Sequence, residues 1–150
     1  MKIIIDADAC PKGVKTVCEA VSAQEKLELV MVIDTAHELK GDFKVITVDK
    51  GNDAVDLVIA NIIEKNDIVI TQDYGLATML MEKAGAIINP KGFLYTKFNI
   101  DSLMFQRYMG QKIRQSGGRV KGPKKREKKD DENFKKVLLE YLEGIQKRGN

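Results

Sequence analysis

Short apolar runs alternate with helix-patterned stretches along the first ninety residues. The runs are rich in β-branched residues, which favour strands. The predicted strands are residues 2–6, 28–33, 43–48, 67–71 and 86–88. The predicted helices between them are residues 11–26, a short piece near 34–40, 53–65 and 74–84. Strands that alternate with helices are typical of βαβ units. We therefore expect an α/β fold: three layers, α/β/α, around a mostly parallel central sheet.

The last third of the chain is patterned differently. A turn at 89–92 is followed by a short extended segment, 93–95, which we expect at a sheet edge. A helix is predicted at 101–115, a basic loop at 117–129 and an amphipathic C-terminal helix at 131–146. That helix carries an apolar stripe at helical spacing, formed by Phe134, Val137, Leu138, Tyr141, Leu142 and Ile145. The stripe predicts that the helix docks on the body, so that residues 1–150 form a single domain.

Composition narrows the class of protein. The chain is 43% hydrophobic, yet no apolar run approaches the ~20 residues that a membrane span needs. The N-terminus lacks the pattern of a signal peptide, and Cys10 and Cys18 are too few for a disulfide framework. We therefore expect a soluble, cytoplasmic protein with no membrane partner. His37 is the only histidine, which disfavours triad and histidine-rich zinc chemistry.

The first apolar run ends in two carboxylates one residue apart. Asp6 and Asp8 follow three consecutive isoleucines, at the point where a buried strand should stop. The carboxyl ends of parallel strands form the crevice where open α/β sheets bind ligands. Carboxylates held there are hard oxygen ligands for a divalent cation. The alternative is that one of the two caps the helix that begins near Cys10-Pro11.

Further acids are predicted to reach the same crevice. Asp53 and Asp56 lie about 60° apart on a helix, so both can face one point, and Asp73 follows the fourth strand. Helix-dipole compensation or a simple turn would also explain these positions. Carboxylates that converge repel one another unless cations neutralise them. We predict a metal site for one or two Mg²⁺ or Mn²⁺ ions, held by Asp6, Asp8, Asp53, Asp56 and Asp73. The predicted catalytic residues are Asp6, Asp8, Asp56 and Asp73.

Basic residues concentrate in one segment. Residues 107–129 contain ten Lys or Arg residues and one Glu, a formal charge of +9; because the whole chain carries +3, the remainder carries −6. A basic segment on an acidic body suits a polyanion, so RNA or single-stranded nucleic acid is the predicted partner. The predicted phosphate-binding residues are Arg119, Lys121, Lys124, Lys125 and Arg126. The alternative is a solvated charged loop, and the sequence leaves a homodimer open.

Four segments together resemble the YaiI/YqxD family of small bacterial proteins. They are Asp6-Ala7-Asp8-Ala9-Cys10-Pro11, Gly51-Asn52-Asp53-Ala54-Val55-Asp56, Asp67-Ile68-Val69-Ile70-Thr71-Gln72-Asp73 and Gly118-Arg119-Val120-Lys121-Gly122-Pro123. The resemblance implies a PIN-like nuclease fold. It also implies that Asp6, Asp8, Asp53, Asp56 and Asp73 match PIN-type metal-site acids. The helix-borne acid is often Glu in PIN domains and is Asp here.

Three functions are compatible with these residues. The first is a divalent-metal-dependent phosphodiesterase that acts on RNA or single-stranded nucleic acid. The second is a haloacid-dehalogenase-like phosphotransferase with Asp6 as nucleophile and Asp8 as acid/base. The third is a non-catalytic RNA-binding module that uses the basic loop. Trapping of a phosphorylated intermediate separates the first two, and metal binding without turnover indicates the third.

Overall fold

A computed structural model describes residues 1–8, 10–34, 40–49, 54–120 and 125–148. The strands are β1 (Lys2–Asp6), β2 (Glu28–Asp34), β3 (Lys44–Val48), β4 (Ile68–Ile70), β5 (Ala86–Asn89) and β6 (Phe93–Leu94). The helices are α1 (Lys12–Glu25), α2 (Ala54–Ile62), α3 (Tyr74–Leu80), α4 (Lys97–Gln115) and α5 (Lys128–Arg148). None of the helices within these ranges is long and apolar enough to cross a membrane.

The strands form one six-stranded sheet in the order β3-β2-β1-β4-β5-β6. Every pair is parallel except β5 and β6, which are antiparallel at one edge. The strand order reverses direction between β1 and β4, the two middle strands. Ligands bind in open α/β sheets at such a switch point, beside the carboxyl ends of the strands. The fold therefore places the ends of β1 and β4 at the position most suited to a site.

Alternate residues of β1 face two separate cores. Ile3 and Ile5 pack with α1 and α5 on one face, whereas Ile4 packs with α2, α3 and α4 on the other. All three isoleucines are fully buried, as a strand covered on both faces requires. This arrangement confirms the predicted three-layer α/β/α fold and its mostly parallel sheet.

The C-terminal helix docks as its apolar stripe predicts. Phe134, Leu138 and Leu142 are buried and pack in the core beneath α1. Gly13 of α1 lies so close to α5 that a Cβ at this position would collide with the carboxylate of Asp131. The contact between the two helices therefore holds the start of α5 beside the start of α1.

Several predicted boundaries move by a few residues. α4 begins at Lys97 rather than at 101, because Thr96 and Asn99 form a reciprocal capping box. α5 begins at Lys128 rather than at 131, so the loop predicted at 117–129 is shorter. α3 ends at Leu80 rather than at 84.

Two other positions bear on the predicted elements. Gly85, between the end of α3 and β5, is required because a Cβ there would meet the backbone of Asn66. The helical piece predicted near 34–40 lies mostly outside the described residues.

Candidate functional site

The carboxyl ends of the two middle strands bring Asp6 beside Thr71. Asp6 is the last residue of β1, and Thr71 directly follows β4. The register pairs Ile5 with Ile70, so the next residues are adjacent. The Thr71 hydroxyl donates a hydrogen bond of 3.0 Å to Oδ2 of Asp6. A buried threonine thus fixes one oxygen of the first predicted site acid.

Two further buried polar residues hold Thr71 in place. The Tyr95 hydroxyl donates to the carbonyl oxygen of Thr71 at 3.0 Å, and the Asn89 amide donates to the Tyr95 hydroxyl at 2.7 Å. Burial raises the pKa of Tyr95, so its hydroxyl keeps its proton and acts as a donor. The sequence analysis missed this chain of hydrogen bonds. Its only signal was polar side chains at the ends of apolar strands, where each must find a partner.

Asp73 is attached to the same threonine and begins the next helix. Its backbone N–H donates to the Thr71 hydroxyl oxygen at 3.0 Å. Its Oδ1 accepts hydrogen bonds from the N–H groups of Gly75 at 2.9 Å and Leu76 at 3.2 Å. Asp73 is therefore the N-cap of α3, whereas a simple turn was the alternative predicted for this position. The cap fixes the orientation of this carboxylate at the carboxyl edge of the sheet.

The environment of Asp6 favours its neutral form. Burial, the largest cause, and the carboxylates of Asp56, Asp73 and Asp8 together raise the pKa of this carboxyl to about 6, against the opposing hydrogen bond from Thr71. These three carboxylates therefore lie within electrostatic range of Asp6. The carboxyl edge of the sheet is thus a concentration of negative charge.

The other predicted acids lie around this point. Asp8 is exposed, and its two oxygens accept from the backbone N–H of Asp34 at 3.0 and 3.2 Å, which ties it to the end of β2. Asp56 lies half-buried in the first turn of α2. Asp53 lies outside the described residues. The acids therefore belong to separate elements, and different hydrogen bonds hold Asp6, Asp8 and Asp73.

No three Asp, Glu, His or Cys side chains within the described ranges are close enough together to hold a metal ion. The predicted metal site with Asp6, Asp8, Asp56 and Asp73 as joint ligands therefore stays a prediction. Mg²⁺ needs fewer protein ligands than that, since it usually keeps several waters and binds through one or two carboxylates plus substrate phosphates. The donor chemistry of this edge suits that mode.

A cavity of about 400 Å³ opens beside the two strand ends. It is lined by Asp6, Gln72, Asp73, Tyr74 and Arg107. Arg107 comes from α4 and places a guanidinium in a pocket that is otherwise acidic. The sequence analysis counted Arg107 within the basic segment but did not assign it to the site. An arginine in the same cavity as two carboxylates suits a ligand that carries a phosphate bound together with a cation.

A second cavity, of about 430 Å³, adjoins the first through Gln72. Its lining residues are Pro11, Gln72, Lys91, Arg126 and Asp130. Lys91, in the turn after β5, was not among the predicted site residues. The two cavities together extend the crevice from the acidic strand ends to a rim that carries Lys91 and Arg126.

The predicted basic loop contains two kinds of cation. Arg126 is partly buried and is held by Asp131 Oδ1, at 2.6 Å from Nη2 and 3.0 Å from Nε, and by the carbonyl oxygen of Pro90 at 2.9 Å. Arg119 and Lys125 are exposed. Lys121 and Lys124 lie outside the described residues. Arg126 therefore has a structural role as well as a place at the rim of the second cavity.

Neither cysteine has the surroundings of a reactive thiol. Both are buried, and burial raises the pKa of Cys10 to about 12 and that of Cys18 well above its usual value. Cys10 lies just before α1, where a helix N-terminus would favour a thiolate, but burial outweighs that effect. The chemistry of this edge therefore depends on carboxylates and not on sulfur.

Fold and site together define a class: a small α/β protein with acids gathered at the carboxyl edge of a parallel sheet. The sequence profile described as "Uncharacterized BCR, YaiI/YqxD family" matches residues 4–144. The chain therefore belongs to the YaiI/YqxD family.

Bacterial relatives agree with this assignment over almost the whole length. A UPF0178 protein of Ruminiclostridium cellulolyticum is 45% identical, over 95% of this chain and 92% of the relative. Another, of Natranaerobius thermophilus, is 45% identical, over 95% of this chain and 96% of the relative. A third, of Clostridium tetani, is 42% identical, over 99% of this chain and the full length of the relative. No solved structure matches the chain.

Proposed function

We propose that this chain is a divalent-metal-dependent phosphodiesterase that cleaves RNA or single-stranded nucleic acid. The observation that supports it most is the state of Asp6, a half-buried carboxyl whose pKa is raised to about 6 by burial and by three neighbouring carboxylates. Crowded carboxylates of this kind cost stability and cluster at functional sites. A bound cation would remove the repulsion and offset that loss of stability.

The carboxylate oxygens of these acids are suitable ligands for one or two Mg²⁺ or Mn²⁺ ions. Asp6 and Asp73 line the same cavity and are the first candidates to hold an ion, with Asp8, Asp56 and Asp53 as further predicted ligands. Bound in this way, the ion supplies an acidified water and neutralises charge on a phosphate. Thr71 would orient Asp6, because its hydroxyl already donates to Oδ2. The PIN-like fold that the sequence resemblance implies belongs to the same proposal.

Basic residues around the crevice would hold the nucleic-acid backbone. Arg107 lies in the cavity with Asp6 and Asp73, where its planar guanidinium can grip the phosphate that undergoes cleavage. The exposed residues Arg119 and Lys125, with Lys121 and Lys124, would attract neighbouring phosphates irrespective of base sequence. Arg126 would contribute charge at the rim while it stays bonded to Asp131.

Metal binding is the first test. We expect Asp6→Asn and Asp73→Asn each to weaken Mn²⁺ binding at least about tenfold by calorimetry, because each removes one charged ligand. Both variants should also lose cleavage of a labelled single-stranded RNA in Mn²⁺. The matched control is Asp42→Asn, a substitution at an exposed acid before β3. Unchanged Mn²⁺ binding in both site variants would rule out the metal site. Metal binding without cleavage would favour a non-catalytic RNA-binding module.

The salt dependence of nucleic-acid binding is the second test. Each phosphate neutralised contributes about −0.7 to the slope of log affinity against log salt, so four to six contacts predict a slope of about −3 to −4. Substitution of Lys121, Lys124 and Lys125 by alanine together should shrink that slope and leave Mn²⁺ affinity unchanged. Arg119→Ala should cost more than Lys125→Ala, because a two-pronged contact is lost. Fluorescence anisotropy of a labelled oligonucleotide measures both, and salt-insensitive binding would contradict the proposed interface.

A further inference from the structure

Helix α4 has an apolar face that the described part of the chain leaves uncovered. Only Ile100 and Gly110 of its nineteen residues are buried. By contrast, Phe98 is 90% exposed, Phe105 is 63% exposed and Tyr108 is 54% exposed. The remaining large apolar residues of α4 with exposures of 40% or more are Met104, Met109 and Ile113. Single exposed apolar residues are ordinary, but six on one helix are not.

Four of the exposed residues form a continuous stripe on the side of α4 that points away from the sheet. At about 100° per residue, Phe98, Phe105, Met109 and Ile113 fall within an arc of about 80°, and Tyr108 lies about 60° beyond Phe105. Ile100, which packs in the core with α2 and α3, lies on the opposite side of the helix. The helix is therefore apolar on two sides, and within the described residues only the side of Ile100 is packed.

The stripe is large enough to form the apolar centre of an interface. With roughly 200 Å² for each large side chain when fully exposed, the exposed fractions of Phe98, Phe105, Met109 and Ile113 leave on the order of 500 Å² of side-chain surface on the stripe. That value lies in the upper part of the range usual for the largest apolar patches on monomers, about 300–600 Å². A standard interface buries about 800 Å² on each partner. The stripe and the polar residues at its border together approach that area.

We propose that this face binds the same face of a second copy of the chain, with the two α4 helices antiparallel across a two-fold axis. The charged residues at the border of the stripe support this occupant. Asp101 and Lys112 lie on the same border, about 20° apart around the helix and about 16 Å apart along it. In an antiparallel pair centred between them, Asp101 of each copy meets Lys112 of the other. In a parallel pair, the two copies of this border would lie on opposite sides of the interface, so that neither charge would meet a partner there.

The same arrangement places an aromatic residue at the centre of the interface. The axis that pairs Asp101 with Lys112 also brings Phe105 of one copy opposite Tyr108 of the other, on either side of the two-fold axis. Phe105 lies within the stripe and Tyr108 lies at its charged border, so that an aromatic residue occupies the centre of the interface with charged pairs beside it, as is typical of interface anatomy. Lys112 already lies over the Tyr108 ring at 5.6 Å, so it is held beside the stripe.

A nucleic acid fits this face less well than a second copy does. Arg107 and Arg114, the two arginines of α4, lie on the side of Ile100, away from the stripe, and Arg107 lines the acidic cavity. Single-stranded nucleic acid needs cations that follow its backbone along the stacking surface. The stripe offers Met109 and Ile113 where such cations would be required. The dimer would leave the proposed catalytic cavity, on the other side of α4, open to substrate.

The experiment measures the mass of the full chain by analytical ultracentrifugation from about 1 to 200 μM. We expect a monomer–dimer equilibrium, and Phe105→Glu should raise the dimer dissociation constant at least about 100-fold, because one substitution removes two anchors from a symmetric interface. The matched control is Leu57→Glu, which adds the same charge at a leucine of α2 that is 60% exposed. Circular dichroism confirms that each variant is folded. A wild-type monomer across the whole range would overturn the proposal.

Charge exchange tests the antiparallel orientation. Asp101→Lys and Lys112→Asp should each weaken the dimer about tenfold, because each brings like charges together twice, and the double exchange should restore it. Failure of the double exchange to restore the dimer would overturn this orientation. A third outcome is that wild type and Phe105→Glu are both monomeric, while Phe105→Glu weakens oligonucleotide binding. That outcome would assign the stripe to nucleic acid in place of a second copy. None of these outcomes affects the metal site of the proposed phosphodiesterase.

Discussion

Aspartates lie at both ends of the central sheet, and the surroundings of the aspartates differ between the two ends. At the amino end, Asp67 is buried and fully paired: Lys2 Nζ lies 2.6 Å away, and the backbone N–H groups of Lys2 and Glu64 also donate to it. At the carboxyl end, Asp6 accepts a hydrogen bond from Thr71, and burial and three nearby carboxylates raise its pKa. The first arrangement stabilises the fold, whereas the second costs stability and is where the proposed cation would bind.

The largest change in the free energy of unfolding is expected at the amino end of the sheet. Asp67→Ala should lower the free energy of unfolding by about 3–5 kcal/mol, because it leaves two backbone donors without their acceptor and leaves the mostly buried ammonium of Lys2 with only the exposed Glu64 carboxylate, at 3.5 Å. Urea denaturation followed by circular dichroism measures the change. Asp42→Ala, at an exposed acid, should change it by less than about 0.5 kcal/mol. A loss below 1 kcal/mol for Asp67→Ala would remove the contrast between the two ends.

Substitution of an aspartate at the carboxyl end should instead increase the free energy of unfolding. Asp6→Asn should raise the free energy of unfolding at pH 7 by about 1–3 kcal/mol without metal, because the repelled charge is removed and Thr71 keeps an acceptor. Added Mn²⁺ should stabilise the wild type more than the variant, since only the wild type regains its lost stability by binding. A destabilised variant in the absence of metal would show that Asp6 serves the fold and not a site.

The pH dependence of stability separates charge repulsion from other causes. The folded pKa of Asp6, about 6, lies above the ordinary 3.8, so the folded state holds this proton more tightly than the unfolded state. The group therefore destabilises the fold progressively as pH rises from about 4 to 6, and its cost is complete above that range. The difference in stability between Asp6→Asn and wild type should grow over that interval and then stay constant. A difference that does not change with pH would refute the assigned cause.

Much of the fold is readable in the sequence because local patterns agree with it. The isoleucine-rich β1, the extended segment predicted at a sheet edge and the stripe of α5 were all recognisable in the sequence, and the structure adds that the edge strand is antiparallel. The capping box of Thr96 was missed because Asn at the third helical position is a weaker signal than Glu or Gln.

The site was harder to predict, since it depends on contacts between distant residues. The aspartates were found because acids after apolar strands are conspicuous. Arg107 reaches the cavity from a helix thirty-four residues beyond Asp73, and no local pattern marks it. Thr71 and Tyr95 look like ordinary strand residues until the sheet brings them together. Arg126 reads as one more cation of a basic loop, and only its distance to Asp131 reveals the pair.

A smaller effect is expected where a cation of the basic segment is paired. Arg126→Ala should lower the free energy of unfolding by about 1–2 kcal/mol, because Asp131 and the carbonyl oxygen of Pro90 both lose a donor in a partly buried place. Arg119→Ala, at an exposed residue, should change it by less than about 0.5 kcal/mol while it weakens oligonucleotide binding. Equal effects of the two substitutions on stability would show that the Arg126 pair has no structural role.

The smallest effect tests the support beneath the acidic edge. Thr71→Val keeps the shape of the side chain but removes the donor to Asp6 and the acceptor for the Asp73 N–H, so stability should fall by about 1 kcal/mol. The hydrogen bond from Thr71 lowers the pKa of Asp6, so its loss should move the titration midpoint of that carboxyl upward from about 6. Carbon-detected NMR of the carboxyl carbons measures the midpoint. Thr47→Val, at an exposed position of β3, should leave it unchanged. A midpoint that stays in place or falls in Thr71→Val would mean that burial and neighbouring carboxylates alone set the state of Asp6. The contrast with Asp67 would then depend on burial and charge repulsion and not on the hydrogen bonds around Asp6.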